Sequence, residues 1–196
     1  LLGTWQHFTI PVGKLEEGVF EDGLGFDGSS IRGWQGIHES DMLVMPQPDT
    51  AFLDPFAAVP TLVLISNIQD PVTGEPYSRD PRHIATKASN YLRHTGIADV
   101  AYFGPEAEFF VFDSARFESA PHEAFYHLGR TGNQSLSHRL MDARSEMVQG
   151  MLDCGLEARA HRQIVGSGGQ CAIDLKQQPL VKMADWLQVY KYCVKS

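Results

Sequence analysis

Gly104-Pro105-Glu106-Ala107-Glu108-Phe109-Phe110-Val111-Phe112-Asp113 is the stretch around which this chain is organised. Its aromatic and aliphatic content predicts a strand over residues 99–112. On a strand, positions i and i+2 share a face, so Glu106 and Glu108 are expected to point the same way. Two strand steps separate their Cβ atoms by ~7 Å, and at an effective dielectric near 20 two such charges repel by roughly 2 kcal/mol. A pair of this kind beside Phe109 and Phe110 calls for something positive, and its oxygen ligands suit Mg²⁺ or Mn²⁺. The alternative is a strand whose glutamate face is simply solvated.

Working outward, the 196 residues suffice for one large domain or two small ones, and 43% hydrophobic with 20% charged residues is enough for a proper core. The formal charge of −8, with no basic run, argues against a nucleic-acid or anionic-membrane surface. Cys154, Cys171 and Cys193 show no C-x-x-C spacing, which fits a reducing cytoplasm and neither a disulfide scaffold nor a zinc site. No signal peptide is seen and no apolar run is long enough to span a bilayer. The first residue is Leu1 in what reads as a strand, so the chain is expected to be a fragment.

In chain order, residues 1–77 read as short strands and turns. Thr4–Ile10 alternates loosely, 18–28 is glycine-rich, Met42–Met45 is a short apolar run, and Thr61–Ile68 is a buried-strand candidate followed by turn signals. The character changes at 78. Asp80-Pro81 forms an N-cap with an N1 proline, Gly96 closes the helix it opens, and Ile84, Ala88, Tyr91 and Leu92 share one of its faces. After the Glu-x-Glu strand, 114–136 reads as a polar loop. Ser137 is expected to cap a second helix, with Leu140, Arg144, Met147 and Met151 on one side and Gly155 as its stop. Strands are expected at Leu156–Val165 and Gln170–Leu175, then a helix at Val181–Lys195.

Several familiar chemistries find no support. Gly166-Ser167-Gly168-Gly169 lacks the Lys-Ser/Thr pair of a phosphate loop and reads as a turn. The eight histidines, His161 among them, include no i,i+4 pair and read as surface or packing residues. No serine sits in a nucleophile elbow.

Several motifs together carry a family resemblance. Gly25-Phe26-Asp27-Gly28-Ser29-Ser30-Ile31-Arg32-Gly33, Glu39-Ser40-Asp41-Met42, Pro48-Asp49-Thr50-Ala51-Phe52, Tyr77-Ser78-Arg79-Asp80-Pro81-Arg82, Gly104–Phe110 and Leu180-Val181-Lys182-Met183-Ala184-Asp185 occur in one order. The chain thereby resembles bacterial (type I) glutamine synthetase along nearly its whole length, least between about 114 and 140.

The resemblance implies an α+β chain: a β-grasp-like N-terminal domain over 1–77, then a partial glutamine synthetase catalytic α+β domain over 78–196. It implies ATP-dependent amidation of glutamate by ammonia through γ-glutamyl phosphate. Mg²⁺ or Mn²⁺ would be the cofactor, with glutamate, ammonia and ATP as substrates. A cytoplasmic homo-oligomer, a ring dodecamer, and a place in glutamine biosynthesis and nitrogen metabolism come with the family. Glu106 and Glu108 match the family's Glu-x-Glu, where each carboxylate serves a different ion. Asp27 matches the aspartate that binds and deprotonates ammonium at a neighbouring subunit's site, and Ser30 shares its loop.

The departures are equally specific. Two further glutamate ligands of the ion assigned to Glu108 align with Ile164 and Ala172, neither of which coordinates a cation. An aromatic near the nucleotide base aligns with Gln177, and the family's Gly-Tyr-Phe-Pro segment before the second helix is replaced within 114–136. The family's later ligands and phosphate-binding arginines would lie beyond Ser196. The sequence therefore leaves enzyme activity open. The chain is expected to be a fragment or inactive relative of glutamine synthetase, or a non-catalytic, partner-binding pseudo-enzyme. A plain acidic α+β binding module with solvated Glu106 and Glu108 is the reading outside the family.

Overall fold

A computed structural model describes residues 3–36, 38, 40–129, 136–166 and 169–196, with the side chains of 136–139 outside the description. Glu39 of the quoted motifs, Gly132, Asn133, Ser167 and Gly168 lie outside the described residues. In chain order the elements are α1 (Glu17–Glu21), β1 (Leu24–Asp27), β2 (Asp41–Pro46), β3 (Phe52–Leu53), β4 (Leu62–Val63), β5 (Ser66–Gln69), α2 (Pro81–His94), β6 (Tyr102–Phe103), β7 (Glu108–Phe110), β8 (Ser114–Ala120), β9 (Glu123–Gly129), α3 (Leu136–Asp153), β10 (Ala158–Gln163), β11 (Gln170–Leu175), β12 (Gln178–Pro179) and α4 (Leu180–Lys195). This is the mixed α+β content that the sequence predicts. The chain divides into two units, Leu1–Phe103 with Gln178–Ser196, and Gly104–Gln177.

In the first unit, β1, β2 and β5 form an antiparallel sheet with β2 central. Its core is Trp34, Met42, Ile68 and Tyr77, with Phe26, Ile31 and Val44 packed against them. The Tyr77 hydroxyl, buried at the end of this cluster, donates to the Trp34 carbonyl at 3.0 Å, so no polar group is left orphaned there. Asp80 links the sheet to α2. Only 4% exposed, it accepts from the Arg82 N–H at 3.0 Å as the helix N-cap and from the Ile68 N–H of β5 at 3.2 Å. Pro81 at N1 needs no donor and completes the start. The Arg82 guanidinium then meets Asp185 of α4 at 3.0 Å and also donates to the Asn67 side chain. Along α4, Met183, Trp186, Val189, Tyr190 and Cys193 are buried at near-helical spacing.

In the second unit, β7, β11 and β10 form an antiparallel sheet with β11 central. Alternation along β11 sends Cys171, Ile173 and Leu175 to one face and Gln170, Ala172 and Asp174 to the other. The first face meets α3: the Arg144 guanidinium lies 3.6 Å from the Cys171 sulfur and donates to His161 Nδ1 at 3.3 Å. His161 is thus a packing residue, one of the roles expected of it.

Several local expectations are corrected. The strand expected over 99–112 is two strands in different sheets, because β6 pairs with β12 whereas β7 pairs with β11. Gly104-Pro105 breaks it: proline brings no N–H to a ladder. Thr61–Ile68 divides likewise between β4, paired with β3, and β5, paired with β2. Thr4–Ile10 forms no strand, and Glu17–Glu21 within the glycine-rich start is a short helix. The expected loop at 114–136 holds a hairpin, β8 with β9, turning at Pro121-His122. Its alternation puts Phe117 opposite Tyr126, a pattern outweighed on reading by the surrounding polar residues. Ser137 lies inside α3 rather than ahead of it. On α2, Ile84 is 50% and Tyr91 68% exposed, and Arg82 instead faces α4. Gly96 and Gly155 close their helices at φ of 71° and 82°, as expected of helix stops.

Candidate functional site

Two places hold the residues that the sequence singles out, one in each unit. The first is the turn after β1. Asp27 ends the strand and its Oδ1 accepts from the Ser29 N–H at 2.9 Å and the Ser29 hydroxyl at 2.6 Å. The Ser30 hydroxyl donates to the Asp27 carbonyl at 2.6 Å. This is an Asx turn, the short polar side chain replacing a backbone acceptor. Gly28 is required by close approach: its N–H donates to the Ser40 carbonyl at 2.6 Å, and a Cβ there would lie 2.6 Å from Met42 Cγ. The buried Met42 therefore fixes where Asp27 sits.

The Ser29 hydroxyl, then the Ser29 N–H, hold the Asp27 carboxyl below its ordinary 3.8. The group is exposed and ionised at neutral pH. Directly across the ladder stands Asp41, register partner of Asp27. Opposed residues of an antiparallel pair have Cβ atoms about 5 Å apart, and like charges in that position repel. The pair therefore favours a small cation beside it. Asp41 was not singled out from sequence, since the pairing that brings it opposite Asp27 is a property of register.

The second place is the sheet face of the second unit opposite α3. Arg162 of β10, Ala172 of β11 and Glu108 of β7 form one row, Arg162 pairing with Ala172 and Ala172 with Glu108. Glu108 Oε2 accepts from the Gln170 side-chain amide at 2.6 Å, a diagonal neighbour on the same face. Glu106 precedes β7 and is not on the strand, so the expected i,i+2 placement of the two glutamates on one strand does not occur. It meets the Arg162 guanidinium at 3.7 Å. The other arm of that guanidinium bonds Asp174.

Glu106 and Glu108 thus belong to one unit, each with a partner supplied by the protein. Arg162, Gln170 and Asp174 were missed from sequence. The period-2 spacing of Gln170 and Asp174 about Ala172 was the available signal, whereas nothing local marks Arg162.

A divalent-ion site requires several oxygen ligands converging on one point. Ile164 and Ala172 offer none, and Ala172 is 0% exposed opposite Glu108. Among the described residues no group of three or more His, Cys, Asp or Glu side chains could hold a metal ion. The donor set on this face does not fit the ion that the Glu-x-Glu resemblance implies.

Comparison with known proteins follows the same lines. The family model described as "Glutamine synthetase, beta-Grasp domain" matches residues 1–71, and that described as "Glutamine synthetase, catalytic domain" matches residues 78–196. A relative from Aquifex aeolicus (strain VF5) named "Glutamine synthetase" is 47% identical over 214 residues, covering 98% of this chain and 46% of that protein. A relative of the same name from Frankia alni is 45% identical over 221 residues, covering 100% of this chain and 47% of that protein. The chain therefore spans about half the length of the curated relatives it matches. Among solved structures, the Plasmodium falciparum glutamine synthetase superposes with a TM-score of 0.83 at 20% identity, covering 95% of this chain and 41% of that one. That likeness is one of fold.

Proposed function

The chain belongs to the glutamine synthetase family, and from that premise we propose that it serves glutamate–ammonia ligation as the carrier of the ammonium-facing turn. The family's reaction is the ATP-dependent amidation of glutamate, and the share of it proposed for this chain is to hold the ammonium ion at Asp27, with Ser30 as part of its turn.

The observation that carries this reading is the geometry at Asp27. Hydrogen bonds from Ser29 keep its carboxylate ionised, and Asp41 stands opposite it in register. Ammonium is a compact cation with four donors, matched to carboxylate oxygens that protrude from a turn. A carboxyl held below its ordinary range is a weak base. Asp27 is therefore suited to attracting ammonium and orienting it, and less to removing its proton. Its role rests on charge and position, with Ser29 and Ser30 holding the carboxylate where it is.

The same premise supports several further proposals. The division between β-grasp-like and catalytic parts is put at 77/78, ATP is a substrate at the level of the family, and the protein acts in the cytoplasm as a homo-oligomer whose neighbouring subunit completes the site. Cytoplasmic placement is supported by the burial of Cys154, Cys171 and Cys193, which show no C-x-x-C spacing. No helix among the described residues is long and apolar enough to cross a membrane. Glu106 and Glu108 keep the family's sequence positions, but no catalytic step is assigned to a metal bound there.

The test is an ammonium titration followed by amide NMR, with tetramethylammonium as the bulky control cation. Ammonium should shift the Asp27–Ser30 amides selectively, and Asp27→Asn should abolish the selectivity. Equal shifts with both cations, or retention in Asp27→Asn, would overturn the assignment.

A further inference from the structure

We propose that the outer edge of β8 is a docking surface for a second copy of this chain, the two β8 strands pairing antiparallel about a two-fold axis at Phe117. The inference rests on residues 114–129 and stands whether or not Asp27 holds ammonium.

The hairpin leaves a great deal uncovered. β8 and β9 form a two-stranded sheet, so each outer edge carries backbone N–H and C=O groups that no strand among the described residues takes up. Every residue of β8 is exposed. Register places Ala115, Phe117 and Ser119 on one face with Leu128, Tyr126 and Ala124. That face carries no charge, and Phe117 and Tyr126 are 81% and 80% exposed on it. A strand edge bordered by bare aromatic rings is a template for another strand.

Charge then selects the occupant. Ser114-Ala115-Arg116-Phe117-Glu118-Ser119-Ala120 is symmetric in residue size about its middle, while its charge changes sign there. Laid antiparallel on a second copy with Phe117 opposite Phe117, each Arg116 faces the partner's Glu118 and small residues face small ones. Symmetry makes this two opposite-charge pairs, both on the face away from the aromatic rings. The aromatic face gains a continuous row of Tyr126, Phe117, Phe117 and Tyr126 across four strands. Other registers lose this match. An axis at Arg116 or at Glu118 opposes arginine to arginine or glutamate to glutamate, and parallel in-register pairing does both. β9 offers nothing equivalent, because an axis at Tyr126 opposes Phe125 to His127 and Glu123 to Gly129. Among the described residues Arg116 and Glu118 form no ion pair, so neither charge is committed within the chain.

Reversing one charge at a time tests the register. Arg116→Glu and Glu118→Arg each place like charges opposite one another across the axis. Both positions are exposed, so both variants are expected to fold. Exchanging the two residues, Arg116→Glu with Glu118→Arg, restores both pairs, and so does an equimolar mixture of the two single variants.

Sedimentation equilibrium is the measurement, and the unmodified chain should show self-association. Each single variant should weaken it at least about tenfold, since two pairs turn from attraction to repulsion. The double exchange and the mixture should recover the affinity of the unmodified chain. Hydrogen exchange should slow at β8 amides, and not at those of β9, as concentration rises through the association range. An unmodified chain that stays monomeric overturns the proposal. Self-association that both single variants keep overturns it too, and the homo-oligomer reading would then rest on another face. Loss in the single variants without recovery in the double exchange refutes the register, and the proposal with it.

Discussion

Replacing Arg82 by methionine should cost the first unit about 3 kcal/mol at neutral pH, by stranding Asp185. The two side chains are only 14% and 12% exposed and meet through two guanidinium nitrogens, at 3.0 and 3.1 Å. Arg82 also holds Asn67 on β5, so one guanidinium joins α2, α4 and the sheet. Breaking a largely buried pair from one side leaves a charge with neither water nor partner, which costs roughly 3–5 kcal/mol. The residual exposure and the escape open to Asp185, protonation, favour the lower end. In a chain of this size ~3 kcal/mol lowers the melting temperature by about 6–12 °C.

The pH dependence has a definite sign. Burial already pushes the Asp185 carboxyl above its ordinary 3.8, Arg82 pulls it partly back, and Asp49 and Asp80 push it up. Removing Arg82 raises it further. A carboxyl raised on folding contributes stability that is present below 3.8 and lost as pH rises through its folded value. The deficit of Arg82→Met should therefore be largest at neutral pH and shrink on acidification towards 3.8. Substituting both partners, Arg82→Met with Asp185→Leu, should recover most of the loss, because no buried charge is then left alone. Urea denaturation of the three variants from pH 7 down to about 4 measures both effects. A deficit below about 1 kcal/mol, or one independent of pH, would refute the view that this pair is buried and coupled.

Three shorter predictions concern single features. Ser29→Ala removes the hydroxyl that does most to hold the Asp27 carboxyl low, so its titration, followed by carboxyl ¹³C NMR, should move up towards 3.8; in the parent, any stability owed to this group is present above 3.8 and fades only below it. Gly155→Ala places a side chain at φ 82° with open space around it, so strain alone should act and cost about 1 kcal/mol in thermal unfolding; a neutral result would mean the helix stop adjusts. Phe117 and Tyr126 are 81% and 80% exposed, so Phe117→Ser with Tyr126→Ser should change the melting temperature little while reducing self-association measured by light scattering.

How much could be read beforehand follows from the range of each signal. Asp80, Pro81 and Gly96 bracket α2 with local chemistry, and the structure places that helix at Pro81–His94. Gly155 and the Leu140–Met151 stripe act over a single helix turn, and the end of α3 is legible for that reason. Partner choice is a different matter. Tyr102–Phe103 and Glu108–Phe110 look continuous, yet they pair with Gln178–Pro179 and Gln170–Ala172 respectively, segments some seventy residues away. The hairpin at Ser114–Gly129 hid for the opposite reason, since its alternating residues remain almost wholly exposed and compositionally resemble a loop. At the site, Asp27 and its turn were visible in five consecutive residues. The pairing of Glu106 with Arg162 spans the sheet, so the glutamates could be read as needing positive charge but the source of that charge could not.

The most direct test is to ask whether the purified 196-residue chain forms labelled glutamine from glutamate, ATP, Mg²⁺ and ¹⁵N-ammonium. With Arg162 countering Glu106, Gln170 on Glu108, and Ile164 and Ala172 where carboxylates would be needed, no labelled glutamine is expected above a control without protein. ATP-dependent label above that control would contradict the conclusion that this face, as it stands, does not assemble the metal centre of a ligase.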